Sequence, residues 1–166
     1  NLESEPGRGT TFTLFFPRRD QHIRSARQER QQHLPRGTEH ILVIEDEESV
    51  REIARDMLSD LGYTILVAPD GKTGVETYRS RQASVDLILL DMNMPLMGGR
   101  EAFEQIKKIN PAIRIIILTG YVKGVIEPSS FPGEVNGFVQ KPFHLEEIAL
   151  KVRKALDTRT VEATLP

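Results

Sequence analysis

The stretch LILLDMNMP, residues 87–95, decides the fold, because four apolar residues run directly into Asp91. A strand that is buried on both faces has a continuous apolar run of this kind. Asp91 would then stand at the carboxyl end of the strand, where open parallel α/β sheets bind their ligands. A plain turn is the alternative, since aspartate and proline both favour turns. The rest of the chain has to separate these two interpretations.

The composition of the 166 residues excludes several classes of protein. A net charge of −2 and a pI near 6.1 argue against a nucleic-acid coat and against a polybasic membrane anchor. The chain has no cysteine, which rules out disulfides, zinc–thiolate sites and thiol nucleophiles. No apolar run approaches the ~20 residues that span a bilayer. We therefore expect a globular cytoplasmic protein, and a first residue other than methionine suggests part of a longer one.

From His40 onward the pattern alternates between strand and helix five times. Five apolar segments predict strands, at residues 41–44, 63–68, 85–90, 113–118 and 137–140. The first helix, which ends at Gly62, has a predicted apolar face of Val50, Ile53, Ala54, Met57, Leu58 and Leu61. Apolar positions in later helices are Val75, Tyr78, Phe103, Ile106, Ile148, Ala149, Val152, Ala155 and Leu156. This order predicts a doubly wound five-stranded parallel α/β sheet with right-handed crossovers.

Polar side chains follow four of the five predicted strands. Strand one ends in Glu45 and Asp46, strand three in Asp91, strand four in Thr119 and strand five in Lys141. Because the carboxyl ends of parallel strands share one edge, we expect these side chains to converge. Each alone has an ordinary explanation as a turn, a helix cap or a surface residue. One shared site explains all four better than four independent accidents.

The residue types suggest phosphoryl chemistry at that edge. Three nearby carboxylates repel one another by an amount on the order of several kcal/mol per pair at an effective dielectric constant of ~20. A hard cation such as Mg²⁺, which prefers oxygen ligands, removes that cost. Asp91 could then attack phosphorus and form an aspartyl phosphate. Lys141 and Thr119 would supply a charge and a hydroxyl for the transferring oxygens.

Residues 40–157 resemble a receiver domain of two-component signalling. The matching pieces are ILVIEDE, LILLDMNMPLMGG, IIILTG and VQKPF, in that order and at receiver-like spacing. The resemblance implies a flavodoxin-like (βα)5 fold. It also implies that Asp91 accepts phosphate from the phosphohistidine of a histidine kinase or a phosphotransfer protein. It gives no oligomeric state, and no nucleic acid or membrane is expected as a partner.

The resemblance also assigns roles to the other site residues. Asp46 would bind Mg²⁺ directly, Glu45 would bind it through water, and Asn93 through its backbone carbonyl. Thr119 and Lys141 would contact the phosphoryl group. Phe138 takes the position of the aromatic switch residue, and burial of its ring, worth about 1.5–3 kcal/mol, favours an inward position. The bond between Lys141 and Pro142 is expected to be cis, an isomer common only before proline.

The opening SEPGRGTTFTLFFPRR resembles the end of a histidine-kinase ATP-binding domain, where a Gly-rich turn precedes the last strand. We expect residues 1–17 to be a remnant of such a domain, with a strand from Thr11 to Phe16. Residues 18–38 would be a linker, partly helical over 21–32, residues 39–157 the receiver and 158–166 a flexible tail. The implied parent is a hybrid histidine kinase. This part of it would only catalyse phosphoryl transfer to Asp91 and hydrolysis from it, without using ATP.

Two other functions remain open at this stage. Phosphatases of the haloacid-dehalogenase type also use a strand-end aspartate. However, their nucleophile normally comes first in the chain, and they carry an acid where this chain has Asn93. The other is a receiver-shaped binding module that is never phosphorylated. Finally, Pro128 and Pro132 predict a short or irregular helix within residues 121–137.

Overall fold

The computed structural model of the protein describes residues 2–15, 33–120, 131 and 133–158. The chain divides into two compact units, Asn1–His33 and Leu34–Pro166. The predicted linker helix at 21–32 lies outside the described residues. So do nearly all of the tail and most of the segment 121–137 for which an irregular helix was predicted.

The first unit contains an antiparallel hairpin. Strand β1 (Leu2–Glu5) pairs with β2 (Gly9–Phe12), with Leu2 opposite Phe12, and all strand residues are exposed. Gly7 has φ 80° and Gly9 has φ 93°, left-handed values that favour glycine in the connecting turn. The predicted bounds of 11–16 were wrong, because the strand begins at Gly9 and ends at Phe12. The sequence LESE gave no apolar alternation, so the first strand of the hairpin was missed.

The second unit contains the predicted parallel sheet. Its strands are β3 (His40–Ile44), β4 (Thr64–Ala68), β5 (Leu87–Asp91), β6 (Arg114–Thr119) and β7 (Gly137–Gln140). Their order in the sheet is β4-β3-β5-β6-β7, and every pair is parallel. The five-stranded flavodoxin-like fold is therefore confirmed, with strand limits that differ from the predicted ones by up to two residues. The compact unit begins at Leu34, ahead of the predicted boundary at residue 39.

Four α-helices cover the sheet in the described part of the chain. They are α1 (Glu48–Asp60), α2 (Gly71–Arg81), α3 (Gly99–Ile109) and α4 (Leu145–Asp157). Successive side chains of a strand point to opposite faces. The odd-numbered residues of β3 and β5 therefore pack with α1 and α4, whereas the even-numbered ones pack with α2 and α3. None of the helices within the described ranges has the length and apolar character of a transmembrane span.

The first helix ends at Asp60, two residues before the predicted end at Gly62, and it is buried along a narrower stripe than predicted. Gly62, with φ 97°, follows the helix and donates its N–H to the carbonyl of Ser59. Ala54 and Leu58 are fully buried, but Ile53 is 49% exposed, so its predicted place in the core was wrong. Ile53 lies about 100° around the helix from Ala54, which takes it off the buried stripe.

Candidate functional site

The carboxyl ends of β3, β5 and β7 bring the acidic residues and the lysine to one edge of the sheet. Glu45 directly follows β3, Asp91 is the last residue of β5, and Lys141 directly follows β7. The strand between them, β6, ends at Thr119, whose carbonyl accepts the N–H of Lys141 at 2.8 Å. The predicted convergence at this edge of the sheet is present in the structure.

Three carboxylates lie close together at this edge. Glu45, Asp46 and Asp91 each present an oxygen, and these oxygens all lie within 4.8 Å of one another. Asp46 is exposed, but Glu45 is fully buried and Asp91 is only 2% exposed. Such an all-oxygen cluster has the chemistry of a Mg²⁺ site.

Lys141 bridges the two buried carboxylates. Its Nζ lies 2.6 Å from Glu45 Oε2, in a close ion pair without the direction of a hydrogen bond, and 3.1 Å from Asp91 Oδ2. Burial alone would lower the pKa of Lys141, but the two carboxylates outweigh it and raise that pKa above its ordinary value. Burial also raises the pKa of Glu45, an effect that Lys141 opposes and the charge of Asp91 strengthens. The contact between Glu45 and Lys141 was not foreseen from the sequence.

The two carboxylate oxygens of Asp91 have different surroundings. Oδ2 is paired with Lys141, whereas Oδ1 is buried and has no hydrogen-bond partner among the described residues. The backbone around it is tightly packed, because a Cβ at Gly99 would lie 2.0 Å from the carbonyl oxygen of Asp91. Gly99 therefore has to be glycine for α3 to begin this close to the strand end.

Arg51 on α1 is a residue of the site that sequence analysis missed. Its Nη1 donates to the carbonyl of Glu45 at 2.7 Å and to the carbonyl of Asp46 at 3.2 Å. These bonds hold the backbone of the acidic turn in place. An arginine in the second turn of a surface helix gives no sequence signal for such a contact.

Thr119 lies on β6, the strand beside that of Asp91, and Phe138 lies on β7, one strand further out. Thr119 is 7% exposed. Phe138 is half-buried, so its predicted inward position is reached in part, and its ring lies 6.2 Å from that of Phe131. Phe131 in turn packs on Phe103, with 5.1 Å between ring centroids. No periodicity around Phe131 indicated this aromatic row.

Two further predictions concern the loops at this edge. The peptide bond between Lys141 and Pro142 is cis, as predicted. Asn93 is exposed, two residues after Asp91. Its binding of a metal ion through the backbone carbonyl stays a prediction.

The sequence model of the response regulator receiver domain matches residues 41–153, which include every site residue described above. The chain belongs to this receiver family. Family membership agrees with the phosphoacceptor chemistry expected from the strand ends, and it sets aside the phosphatase of the haloacid-dehalogenase type.

Relatives of this receiver include both kinases and single-domain proteins. The sensor kinase CckA of Brucella abortus is 30% identical over 164 residues, which cover 93% of this chain but 17% of the kinase. Sporulation initiation phosphotransferase F of Bacillus subtilis is 32% identical over 123 residues, 74% of this chain and 97% of that protein. The chain thus spans less than a fifth of the first relative and nearly all of the second.

Among solved structures, the response regulator TrrA of Thermotoga maritima was crystallised in complex with Mg²⁺ and BeF. It is 30% identical, with a TM-score of 0.63 over 72% of this chain and 100% of that one. Receivers generally bind Mg²⁺ at an acidic site, and the cluster of Glu45, Asp46 and Asp91 provides such a site here.

Proposed function

We propose that this chain is the receiver of a hybrid sensor histidine kinase and that Asp91 accepts its phosphoryl group. The observation that carries the proposal is the asymmetry of the Asp91 carboxylate. Oδ2 is fixed by Lys141 at 3.1 Å, while the buried Oδ1 has no hydrogen-bond partner within the part of the chain that the structure describes. A buried acceptor left unpaired is costly unless a ligand meets it, which supports a carboxylate that meets a metal ion and a phosphoryl group.

The transfer uses a donor with a good leaving group. A carboxylate oxygen of Asp91 attacks the phosphorus of a phosphohistidine, so that an O–P bond forms as the N–P bond breaks. The donor ring is protonated on its other nitrogen, so it takes the electron pair of the N–P bond and leaves as neutral imidazole. No general acid is needed, which suits a site with Asn93 two residues after the nucleophile.

Lys141 and Thr119 stabilise the charge that moves during the transfer. The Lys141 ammonium already lies between two carboxylates and stays protonated, because those carboxylates raise its pKa. It can therefore follow the negative charge onto the transferring oxygens. Thr119 ends the neighbouring strand β6 and would supply a hydroxyl to the same oxygens.

The donor set fits Mg²⁺. An unpaired carboxylate oxygen on Asp91 and two further acids within 4.8 Å leave negative charge that a hard cation would balance. Asp46 and Asp91 would hold the ion directly, Glu45 through water, and Asn93 through its backbone carbonyl. When bound, the ion supplies positive charge that offsets the repulsion between the carboxylates and the phosphoryl oxygens.

The hybrid-kinase context is supported by the extent of one alignment. Residues 41–166 make up only about three quarters of the chain, but the match to the CckA sensor kinase covers 93% of it. Part of that match therefore runs through residues 1–40, where the Gly-rich turn and the hairpin lie. We infer a cytoplasmic protein whose partner carries phosphohistidine, either the parent kinase or a separate phosphotransfer protein.

The proposal is tested by intact mass after treatment with acetyl phosphate or phosphoramidate. With Mg²⁺, the wild-type chain should gain one phosphoryl group, and chelation of Mg²⁺ should prevent the gain. Asp91→Asn should gain none. Asp86→Asn is the matched control, because Asp86 is an exposed acid just before the same strand, at its opposite end.

An unchanged wild-type mass with both donors would contradict the proposal and favour a binding module. A gain that persists in Asp91→Asn would show that another residue accepts the phosphate.

A further inference from the structure

The loop between β5 and α3 presents a leucine in an unusual way. Leu96 is 98% exposed and has φ 66°, the left-handed region that L side chains rarely adopt. Among the described residues it is the one non-glycine residue with positive φ. A large apolar side chain thus stands fully in solvent on a backbone that disfavours it.

Both sides of Leu96 are anchored. Met94 is 8% exposed and belongs to the core cluster under α2 and α3. Met97 packs on the start of α2, where a Cβ at Gly71 would come within 2.5 Å of the Met97 carbonyl oxygen. The chain between these anchors has little freedom, so the surroundings impose the strained conformation at Leu96.

The fold itself gains nothing from a leucine at this position. Glycine and asparagine adopt left-handed φ more readily, and a side chain that is 98% exposed buries no apolar surface. The identity of residue 96 is explained if its side chain is buried against another molecule.

The position of the loop indicates that this other molecule is the phosphoryl donor. The loop leaves Asp91 and returns to it, since Gly99 donates its N–H to the carbonyl of Met92 at 3.3 Å. Leu96 lies three residues before Gly99 and is therefore within about 11 Å of Gly99, which itself packs against the backbone of Asp91. Because Asp91 is only 2% exposed, a donor must press its surface against the bordering loops to bring phosphorus to the carboxylate.

We propose that Leu96 is a docking contact for the protein that donates the phosphoryl group, and that this donor has an apolar side chain beside its phosphohistidine. The inference rests on the proposed function of Asp91. It assigns to Leu96 the recognition of a protein donor, with no part in the chemical step. Small donors such as phosphoramidate do not reach this contact.

The test compares two donors on three proteins: wild type, Leu96→Asn and Leu96→Met. The protein donor is the purified autophosphorylated histidine kinase that transfers fastest to the wild-type chain. With it, Leu96→Asn should raise KM about tenfold, equivalent to ~1.4 kcal/mol, while kcat stays within about twofold. Leu96→Met keeps an apolar side chain and should restore the wild-type KM. Labelling by phosphoramidate should be the same in all three.

Thermal melting checks the premise that leucine gives the fold nothing, and the melting temperature of Leu96→Asn should equal or exceed that of the wild type. A drop of several degrees would overturn that premise. Equal KM values for wild type and Leu96→Asn would overturn the docking contact while leaving Asp91 as the acceptor. If neither donor labelled the wild type, the result would instead contradict the proposed function of Asp91. A changed sedimentation of Leu96→Asn with unchanged transfer would assign Leu96 to a contact between two copies.

Discussion

Each edge of the parallel sheet holds a lysine, partly buried at one edge and buried at the other, and the two lysines have different kinds of partner. At the carboxyl edge, Lys141 lies between the carboxylates of Glu45 and Asp91. At the other edge, Lys107 on α3 is 8% exposed and donates to the carbonyls of Pro111 and Ile113 at 3.1 and 2.8 Å.

The difference in partners produces opposite pKa shifts. Burial lowers the pKa of Lys107, and the charge of Glu134 offsets this only in part. For Lys141 the same burial effect is outweighed by two carboxylates, and the pKa rises. Neutral carbonyls accept the hydrogen bonds of an ammonium group without balancing its charge. We therefore assign Lys107 a purely structural role. Two carboxylates around one ammonium leave a net negative site, which can take up a cation and a phosphoryl group.

The sharpest test of this comparison is the same substitution at both edges. Lys141→Met should slow labelling of Asp91 by phosphoramidate on the order of 10²-fold, because a charge aimed at the transferring oxygens is lost. Without Mg²⁺ it should also lower the free energy of unfolding by about 3 kcal/mol, since two buried carboxylates lose their shared cation. The rate of labelling is measured from reactions stopped at successive times, and the free energy of unfolding is measured by urea unfolding.

Adding Glu45→Gln to Lys141→Met should recover part of the lost stability, because it removes one of the two carboxylates left facing each other. Unchanged labelling in Lys141→Met would show that this lysine takes no part in the transfer, whatever its effect on stability.

Lys107→Met is the structural counterpart and should have a smaller effect. The methionine retains the contact with Phe103, whose ring centroid lies 5.7 Å from Lys107 Nζ. The carbonyls of Pro111 and Ile113 lose their donor, at a cost of about 1–2 kcal/mol in urea unfolding. Labelling of Asp91 should be the same as in the wild type. A tenfold loss of labelling would show that the two edges are coupled and that the comparison fails.

The fold and the position of the site could be predicted from the sequence because both depend on simple local features. The apolar runs before Asp91 and Thr119 are buried throughout, so these two strands could be predicted from the continuous runs of apolar residues. Polar residues directly after those runs had to meet at one edge once the strands were parallel. These inferences need no knowledge of how side chains pack.

The missed features depend on contacts between residues distant in the chain. Neither the bonds from Arg51 to the acidic turn nor the packing of Phe131 between two other rings follows a local pattern. The exposure of Ile53 depends on how far α1 rolls over the sheet. The left-handed backbone of Leu96 is imposed by anchors on either side of it.

The smallest predicted effect concerns an ion pair at the amino-terminal edge of the sheet, opposite the acidic cluster. Glu39 Oε1 lies 2.8 Å from Arg153 Nη2, and both side chains are about one quarter exposed. Burial raises the pKa of Glu39, but hydrogen bonds from Arg153 and from backbone N–H groups outweigh it and hold the pKa below the ordinary 4.5. A carboxylate with a lower pKa in the folded state stabilises the protein above its unfolded pKa, and that contribution is lost as the pH falls through the folded value.

Glu39→Gln should therefore lower the free energy of unfolding by about 0.5–1 kcal/mol at pH 7. The difference from the wild type should shrink as the pH falls below 4.5, the ordinary value from which this carboxyl is shifted down. Urea unfolding of both proteins across that range measures the effect, with Asp157→Asn as a control that leaves the pair of Glu39 and Arg153 intact. Labelling of Asp91 should not change in either variant, because this pair lies at the amino-terminal edge of the sheet and Asp91 lies at the carboxyl edge. A difference in stability that grows toward acid pH would mean that Glu39 is protonated in the folded protein and that its interaction with Arg153 has been assigned the wrong sign.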